Sequence, residues 1–433
     1  MDRRRLTADL ILISSYQLVE KLVGYLVVVM LVRHLAVARV GEFFFAVTLA
    51  TFATTFTEMG THVYLIRRVA QDPEGAGRAL GEVLSARAPL VAGMFVALNA
   101  GVACLGPGLA RIMLLVSGFV LLQGLYFSFG AFFLGTRRVG LRVATGLGGQ
   151  LLLAALVASA IGLGGGLEAV LTGYVTAGAV TVAVAALLAR RTSGPIRICW
   201  QPAMTRGVLR QSAPLFALGA LCLFHEKADT LMLGLIRSYE AVASYEAAYK
   251  FLEVSRFVIR PASMIFLPVC AGLAAARDWR GLQSLSRGLI LGAIALGAAF
   301  ALVALPFAGV LLELAFGPAY RSSTPLLRLL LLSVPAAFLG MTGVFVASAL
   351  HLERRAIRAA LVSLLANIAA NGVAIPCWGP KGAAWTTLLT QTIFGVWVAC
   401  VVLSGIGQLS SGATGIPAEP AQPADAMGDF EGP

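Results

Sequence analysis

Ten charged side chains lie well inside long apolar runs of this sequence. The bases are Lys21, Lys227, Lys250, Arg256 and Arg260; the acids are Glu20, Glu58, Glu226, Asp229 and Glu253. In hydrocarbon each such charge costs at least about 2.5–3.5 kcal/mol, so it must face water, a partner or a bound ligand. Helical spacing groups them. Gln17, Glu20, Lys21 and Gly24 share one face, and Thr51, Thr54, Thr55, Glu58, Thr61 and His62 form a polar stripe. Lys250, Glu253, Arg256 and Arg260 share a third face, while Glu226 and Asp229, three residues apart, stand close enough for like-charge coupling. Bases so placed can hold an anion. Carboxylates so placed can carry a proton or chelate Na⁺. The plainer reading is structural: pairs such as Lys250–Glu253, or Glu226 with a base on the next run, would lock a bundle.

The elements that must position these groups are membrane helices. Of 433 residues, 58% are apolar and 12% are charged, and the mean hydropathy is +0.86. No soluble core absorbs that much apolar surface, which excludes a cytosolic enzyme, a secreted disulfide scaffold and a disordered regulator. Twelve runs reach bilayer length, at 7–31, 42–64, 84–105, 112–134, 142–163, 167–189, 211–236, 243–270, 286–316, 325–350, 357–377 and 382–406. Pro306 and Pro335 fall inside the ninth and tenth and predict kinks there. The first run contains Glu20 and Lys21 and lacks a small-x-small cleavage site, so it reads as a membrane helix and not a signal peptide.

Arginines cluster at alternate ends of these runs, around Arg3–Arg5, Arg67–Arg87, Arg137–Arg142, Arg190–Arg210, Arg277–Arg287 and Arg354–Arg358. The positive-inside rule places those ends, and both termini, in the cytoplasm. The net charge of +12 then reflects topology and not nucleic acid. The six scattered cysteines have no metal-ligand spacing, the four histidines lie far apart, and no metal or cofactor motif is present. Gly162–Gly166 lacks a following Lys-Ser/Thr and reads as an outer turn.

All ten intramembrane charges fall on spans 1, 2, 7 and 8. The chain also repeats weakly over about half its length. Val40-Gly41-Glu42-Phe43 matches Val242-Ala243-Ser244-Tyr245, Arg137-Arg138 matches Arg354-Arg355, and Gly166 matches Gly382. Spans 1/2 and 7/8 are equivalent in that repeat. The expectation is an all-α polytopic membrane protein, with twelve helices in two six-helix lobes related by a parallel repeat and a polar cavity between them. The lobes are 1–190 and 211–406, joined by a cytoplasmic linker, 191–210, and followed by a disordered cytoplasmic tail, 407–433, rich in Pro, Ala and Gly. The bulky Phe43-Phe44-Phe45 run reads as lipid-facing or packing filler.

Several segments in order are familiar. They are Arg33-His34-Leu35, Val40-Gly41-Glu42-Phe43 and Glu58-Met59-Gly60; Ser212-Ala213-Pro214-Leu215-Phe216; Asp229-Thr230-Leu231-Met232-Leu233-Gly234; and Ala241 through Lys250. Later come Phe316-Gly317-Pro318-Ala319-Tyr320, Asn367 to Asn371, and Ile375 through Ala384. With these the chain resembles the polysaccharide (oligosaccharide) flippase family, the Wzx-type exporters of lipid-linked oligosaccharide. Their superfamily also holds lipid II flippases and multidrug/toxic-compound extrusion proteins. It departs from the family pattern in having Glu58 where members often have Asp, and twelve spans where some have fourteen.

The resemblance implies a two-lobed transporter, not an enzyme, working by alternating access in the bacterial inner membrane. Its implied cargo is a polyprenyl diphosphate carrying a short glycan, with membrane lipids and a polysaccharide polymerase as further partners. For such cargo Lys21, Lys227, Lys250, Arg256 and Arg260 are the expected diphosphate site, since Lys and Arg bind phosphate through charge-assisted hydrogen bonds. Gln17, Thr54 and Thr55 would serve the sugar, and Glu58, Glu226 and Asp229 the coupling ion. Two rivals remain: a multidrug or small-cation exporter of the same superfamily, and a membrane glycosyltransferase or ligase, which would need an external catalytic loop that this chain lacks.

Overall fold

The computed structural model describes residues 3–103, 107–193, 196, 198 and 201–411. Among these the chain forms fifteen α-helices and no strand. They are α1 (Arg3–His34), α2 (Val37–Glu58), α3 (Thr61–Gln71), α4 (Ala76–Ala103), α5 (Pro107–Gly135), α6 (Val139–Gly162), α7 (Leu167–Ser193), α8 (Pro202–Ile236), α9 (Tyr239–Ala275) and α10 (Trp279–Ala304). Then come α11 (Ala308–Phe316), a 3₁₀ turn (Pro318–Ser323), α12 (Thr324–Leu332), α13 (Val334–Ala349), α14 (Glu353–Trp378) and α15 (Pro380–Ser410). Among the described residues ten helical stretches are long and apolar enough to cross a membrane, so this is a multi-pass membrane protein. α8 and α9, with 35 and 37 residues, are longer than most of these but carry the charged residues. At 1.5 Å per residue they extend about 50–55 Å, beyond a hydrocarbon core of about 30 Å.

Among the described residues each apolar run lies on helix, and the breaks have local causes. The ninth run parts at Leu305–Phe307 and the tenth at Ser333, beside Pro306 and Pro335, where a missing N–H interrupts the ladder. The second run, expected to be continuous, breaks as well. Met59 (φ 48°) and Gly60 (φ 70°) both turn left-handed and divide α2 from α3, a conformation Gly accepts freely and Met does not. The carbonyls freed there find partners: Thr61 Oγ1 donates to Glu58 O at 2.6 Å, and Arg87 Nε donates to Thr57 O at 3.2 Å. Arg87, expected among the cytoplasmic arginines, is only 3% exposed. It sits on α4 and also donates to Gly124 O (2.7 Å) and Ser128 Oγ (2.6 Å) of α5. The tail expected over 407–433 begins inside α15, and from 412 onward it lies outside the described residues.

The apolar core is arranged asymmetrically, and this positions the site. One large cluster joins helices of both halves. It contains Leu31, Val40, Phe43, Phe44, Phe45, Ile112, Val170, Leu233, Val242, Phe316 and Ile375, all near the expected outer ends. Toward the expected cytoplasmic ends the core divides. One cluster there draws on α3, α4, α5 and α7 with Val208; another draws on α9, α10, α13, α14 and α15. The core is therefore shared at one end, the seal between the halves, and divided into two clusters at the other. There α8 is the bridge: its Val208 belongs to the first cluster, and its Phe224 and Phe216 rings meet Phe52 and Phe56 of α2.

The seal is tight. A Cβ on Gly41 would run into the Tyr239 carbonyl, and one on Gly234 into the Phe45 ring. Arg33 reaches from the end of α1 to the carbonyls of Leu314 and Ala315 on α11. Phe43, Phe44 and Phe45 are all buried in this seal, so they are packing residues and do not face lipid.

Candidate functional site

Directly beside the seal, α8 and α9 bring six charged residues together. Lys227 Nζ lies 3.1 Å from Glu246 Oε1 and 3.0 Å from Glu253 Oε1. Lys250 Nζ lies 2.7 Å from Glu253 Oε2 and 3.9 Å from Glu246 Oε2. Arg256 Nη1 donates to Glu226 Oε1 at 2.9 Å, and Arg256 Nη2 to the Tyr249 hydroxyl at 3.3 Å. Lys227 and Arg256 also stand over the Tyr249 ring, at 5.4 and 5.9 Å, and Lys250 over Phe44 of α2, at 5.9 Å. Three bases thus face three acids, and each base already has a counter-ion. Both structural pairings expected from spacing occur here, Lys250 with Glu253 and Glu226 with a base on the following helix.

Burial separates the pairs. Glu246 is 1% exposed and also accepts from Thr230 Oγ1 at 2.5 Å. The Glu226 side chain is 53% exposed and that of Glu253 30%. The Lys227–Glu246 pair is therefore locked into the fold, whereas the Glu226 and Glu253 side chains are more exposed. A buried pair that loses one partner leaves an uncompensated charge, while a half-exposed carboxylate resolvates at small cost.

Asp229 occupies separate ground. It accepts from Tyr245 (2.7 Å) and Thr387 (2.7 Å) at Oδ2, and from Asn371 (2.5 Å) at Oδ1. Asn371 donates in turn to Asn367 Oδ1 (3.1 Å), and Asn367 to Thr390 Oγ1 (3.3 Å). Asp229 is 6% exposed, and its hydrogen bonds come from neutral groups on α9, α14 and α15. The expected Glu226/Asp229 couple is accordingly not one site: Glu226 turns to Arg256 and Asp229 to this polar network.

The remaining expected residues stay on α1 and α2. Lys21 and Gln17 are exposed on α1. Glu20 of α1 accepts from Tyr16 (2.8 Å), which itself accepts from Arg142 of α6 (3.0 Å). Thr54 and Thr55 donate to the carbonyls of Ala50 (2.9 Å) and Thr51 (3.0 Å) one turn back, so only their lone pairs remain for a ligand. Glu58 pairs with His62 across the Met59–Gly60 break. The Arg260 side chain lies outside the described residues.

Sequence reasoning missed Glu246. It sits at i, i+4 and i+7 with Lys250 and Glu253, on one helical face, and that spacing was the available signal.

Comparison with known proteins places this geometry in context. A family model described as polysaccharide biosynthesis protein matches residues 6–273. Among solved structures, the chain is similar to a multidrug resistance MATE family transporter of the MOP superfamily in an inward-facing conformation. The identity is 14% and the TM-score 0.73, with 91% of this chain and 96% of that one covered. It is similar to the lipid II flippase MurJ in an inward closed conformation, at 11% identity and TM-score 0.75, covering 93% and 90%. An outward-facing MATE transporter gives 16% identity and TM-score 0.59, covering 95% and 96%. At such identities the likeness is one of fold. No curated protein matches the chain in sequence.

Proposed function

The chain belongs to the polysaccharide biosynthesis protein family, and from that premise we propose that it flips a polyprenyl-diphosphate-linked oligosaccharide from the cytoplasmic to the periplasmic leaflet of the bacterial inner membrane. In this reading α8 and α9 complete twelve spans. Residues 1–190 and 211–406 form two lobes joined by 191–210, and both termini, with the tail 407–433, are cytoplasmic. The core that is shared at one end and divided at the other is read as the inward-facing state of an alternating-access cycle. The higher TM-score against the inward-facing than the outward-facing MATE structure agrees with it.

One observation carries the cargo assignment: Arg256 and Lys250 stand beside the seal, held by carboxylates that are partly exposed. A diphosphate entering from the open side can take the place of Glu226 on Arg256 and of Glu253 on Lys250. Arginine's fork suits that exchange because it binds two phosphate oxygens at once. Lys227 stays with Glu246 and holds α8 to α9 while the other two bases exchange partners. Lys21 and Gln17 of α1, with Thr54 and Thr55 of α2 as acceptors, complete the contacts to headgroup and glycan, and Arg260 continues the basic face of α9 in the sequence. Asp229 and Glu58 are the carboxylates left to take up a coupling ion, with Glu226 freed to join them when Arg256 binds cargo. A polysaccharide polymerase would consume the product.

A second reading rests on Asp229, whose hydrogen-bond partners are neutral, and on the likeness to MATE transporters: export of a small cation, drawn to the acid and to the aromatic rings nearby. Arg256 decides between them. Its partner Glu226 is half exposed, so Arg256→Ala leaves no stranded buried charge and should fold normally. Flipping measured in proteoliposomes should be lost with Ala and only partly rescued by Lys. Full flipping by Arg256→Ala would overturn the diphosphate assignment, and cation export by that variant would favour the second reading.

A further inference from the structure

A groove of about 680 Å³ runs between α14 and α15, away from the charged cluster. Val373, Ala374 and Trp378 of α14 line one wall, and Lys381, Trp385 and Leu389 of α15 the other. Its volume lies within the range of small-molecule pockets, about 300–1,000 Å³.

Three features describe what it holds. Trp378 and Trp385 are 66% and 54% exposed on either side of the turn at Gly379, and exposed indoles settle at the membrane–water boundary. They place the mouth of the groove at headgroup depth. Val373 and Leu389 lie more than one turn deeper on their helices and are also exposed. The groove therefore continues from headgroup depth into hydrocarbon. Lys381, at the mouth, makes no ion pair or hydrogen bond among the described residues. It is also the one charged residue in the lining. At the same end Arg237 donates to the carbonyls of Ile375 and Pro376 at the close of α14, adding a second cation beside the mouth.

We propose that this groove binds an anionic phospholipid, its phosphate on Lys381 and an acyl chain along Val373, Trp385 and Leu389. Charge complementarity selects the headgroup, and the apolar walls select a chain. The site is independent of the cargo reading, because it shares no residue with the α8/α9 cluster.

Tryptophan fluorescence tests it in the full-length protein, with Trp200, Trp279 and Trp397 replaced by Phe so that Trp378 and Trp385 report. The protein is reconstituted in vesicles doped with brominated phosphatidylglycerol or brominated phosphatidylcholine, whose bromines quench nearby indoles. Phosphatidylglycerol should be enriched at the groove about fivefold, the advantage of one basic side chain near an anionic headgroup. Lys381→Gln should abolish the preference and Lys381→Arg should keep it. Equal quenching by both lipids, or a preference that survives Lys381→Gln, overturns the proposal. So does an absence of quenching by either lipid together with Trp385→Cys cross-links between copies, which would give the groove to a second chain.

Discussion

Lys227 and Glu246 separate a scaffold from a binding site more sharply than any other pair in the molecule. Glu246 is 1% exposed. Its carboxylate is held by Lys227 Nζ at 3.1 and 3.3 Å and by Thr230, with Lys250 Nζ farther off at 3.9 Å. Replacing Lys227 by Ala strands that carboxylate with one weaker cation. Breaking a buried pair from one side costs about 3–5 kcal/mol. With Lys250 still near, the expected loss is at the low end, about 3 kcal/mol, or roughly a hundredfold in the folded population. Lys227→Met combined with Glu246→Gln removes both charges and nearly conserves volume, so stability should return to within about 1 kcal/mol of the parent. Thermal unfolding in nanodiscs reads the stability, and surface polysaccharide in cells reads export. If Lys227 only locks the bundle, the double variant exports. If its charge also serves the cargo, the double variant is stable and does not export. A Lys227→Ala protein as stable as the parent would refute the electrostatic reasoning; a stable double variant that does not export would refute the assignment of Lys227 as a lock only.

Three further outcomes are expected. In proteoliposomes with imposed pH, Na⁺ and voltage gradients, Asp229→Asn should lose the parent's response to at least one gradient. If Asp229→Asn, Glu58→Gln and Glu226→Gln all respond as the parent does, the carboxylates are structural. Gly41→Leu drives a side chain into the Tyr239 carbonyl at the seal, where overpacking costs about 1–3 kcal/mol. It should populate an outward-open form, seen as faster labelling of a cysteine introduced at Phe44; unchanged labelling would count against the seal. A reporter fused after Arg191 should remain cytoplasmic, and fusions near Arg111 or Lys381 should report the periplasm, the reverse pattern inverting the assigned orientation.

The helices were legible because a bilayer demands long apolar runs, and among the described residues each of the twelve runs is helical apart from short breaks in the second, ninth and tenth. The kinks at Pro306 and Pro335 were legible for an equally local reason. The break at Met59–Gly60 was not, since nothing in a methionine announces a left-handed backbone, although Gly60 hinted at it. Charges were legible as a set and misread one by one. Arg87 lies a few residues inside its run and was grouped with loop arginines, yet the fold buries it against Thr57, Gly124 and Ser128. Glu226 and Asp229 look like a couple along one helix. Their partners come from α9, α14 and α15, up to 158 residues away, and helical spacing contains no information about those.

The pairing also bears on how a multiply charged headgroup could pass through a protein at all. A cavity lined by bare cations would hold a diphosphate tightly and release it slowly, and without cargo it would have to keep several like charges close together. Pre-paired bases avoid both difficulties. A diphosphate cargo would gain only the difference between phosphate and carboxylate as partner, which would let it both enter and leave. The displaced Glu226 and Glu253 remain on α8 and α9, ready to reclaim Arg256 and Lys250 once the headgroup departs. Under the proposed function, release would be assisted by groups already within hydrogen-bonding distance. The same logic requires some pair that does not exchange, to keep the two helices in register while the others open. Glu246, buried and held by both Lys227 and Thr230, meets that requirement.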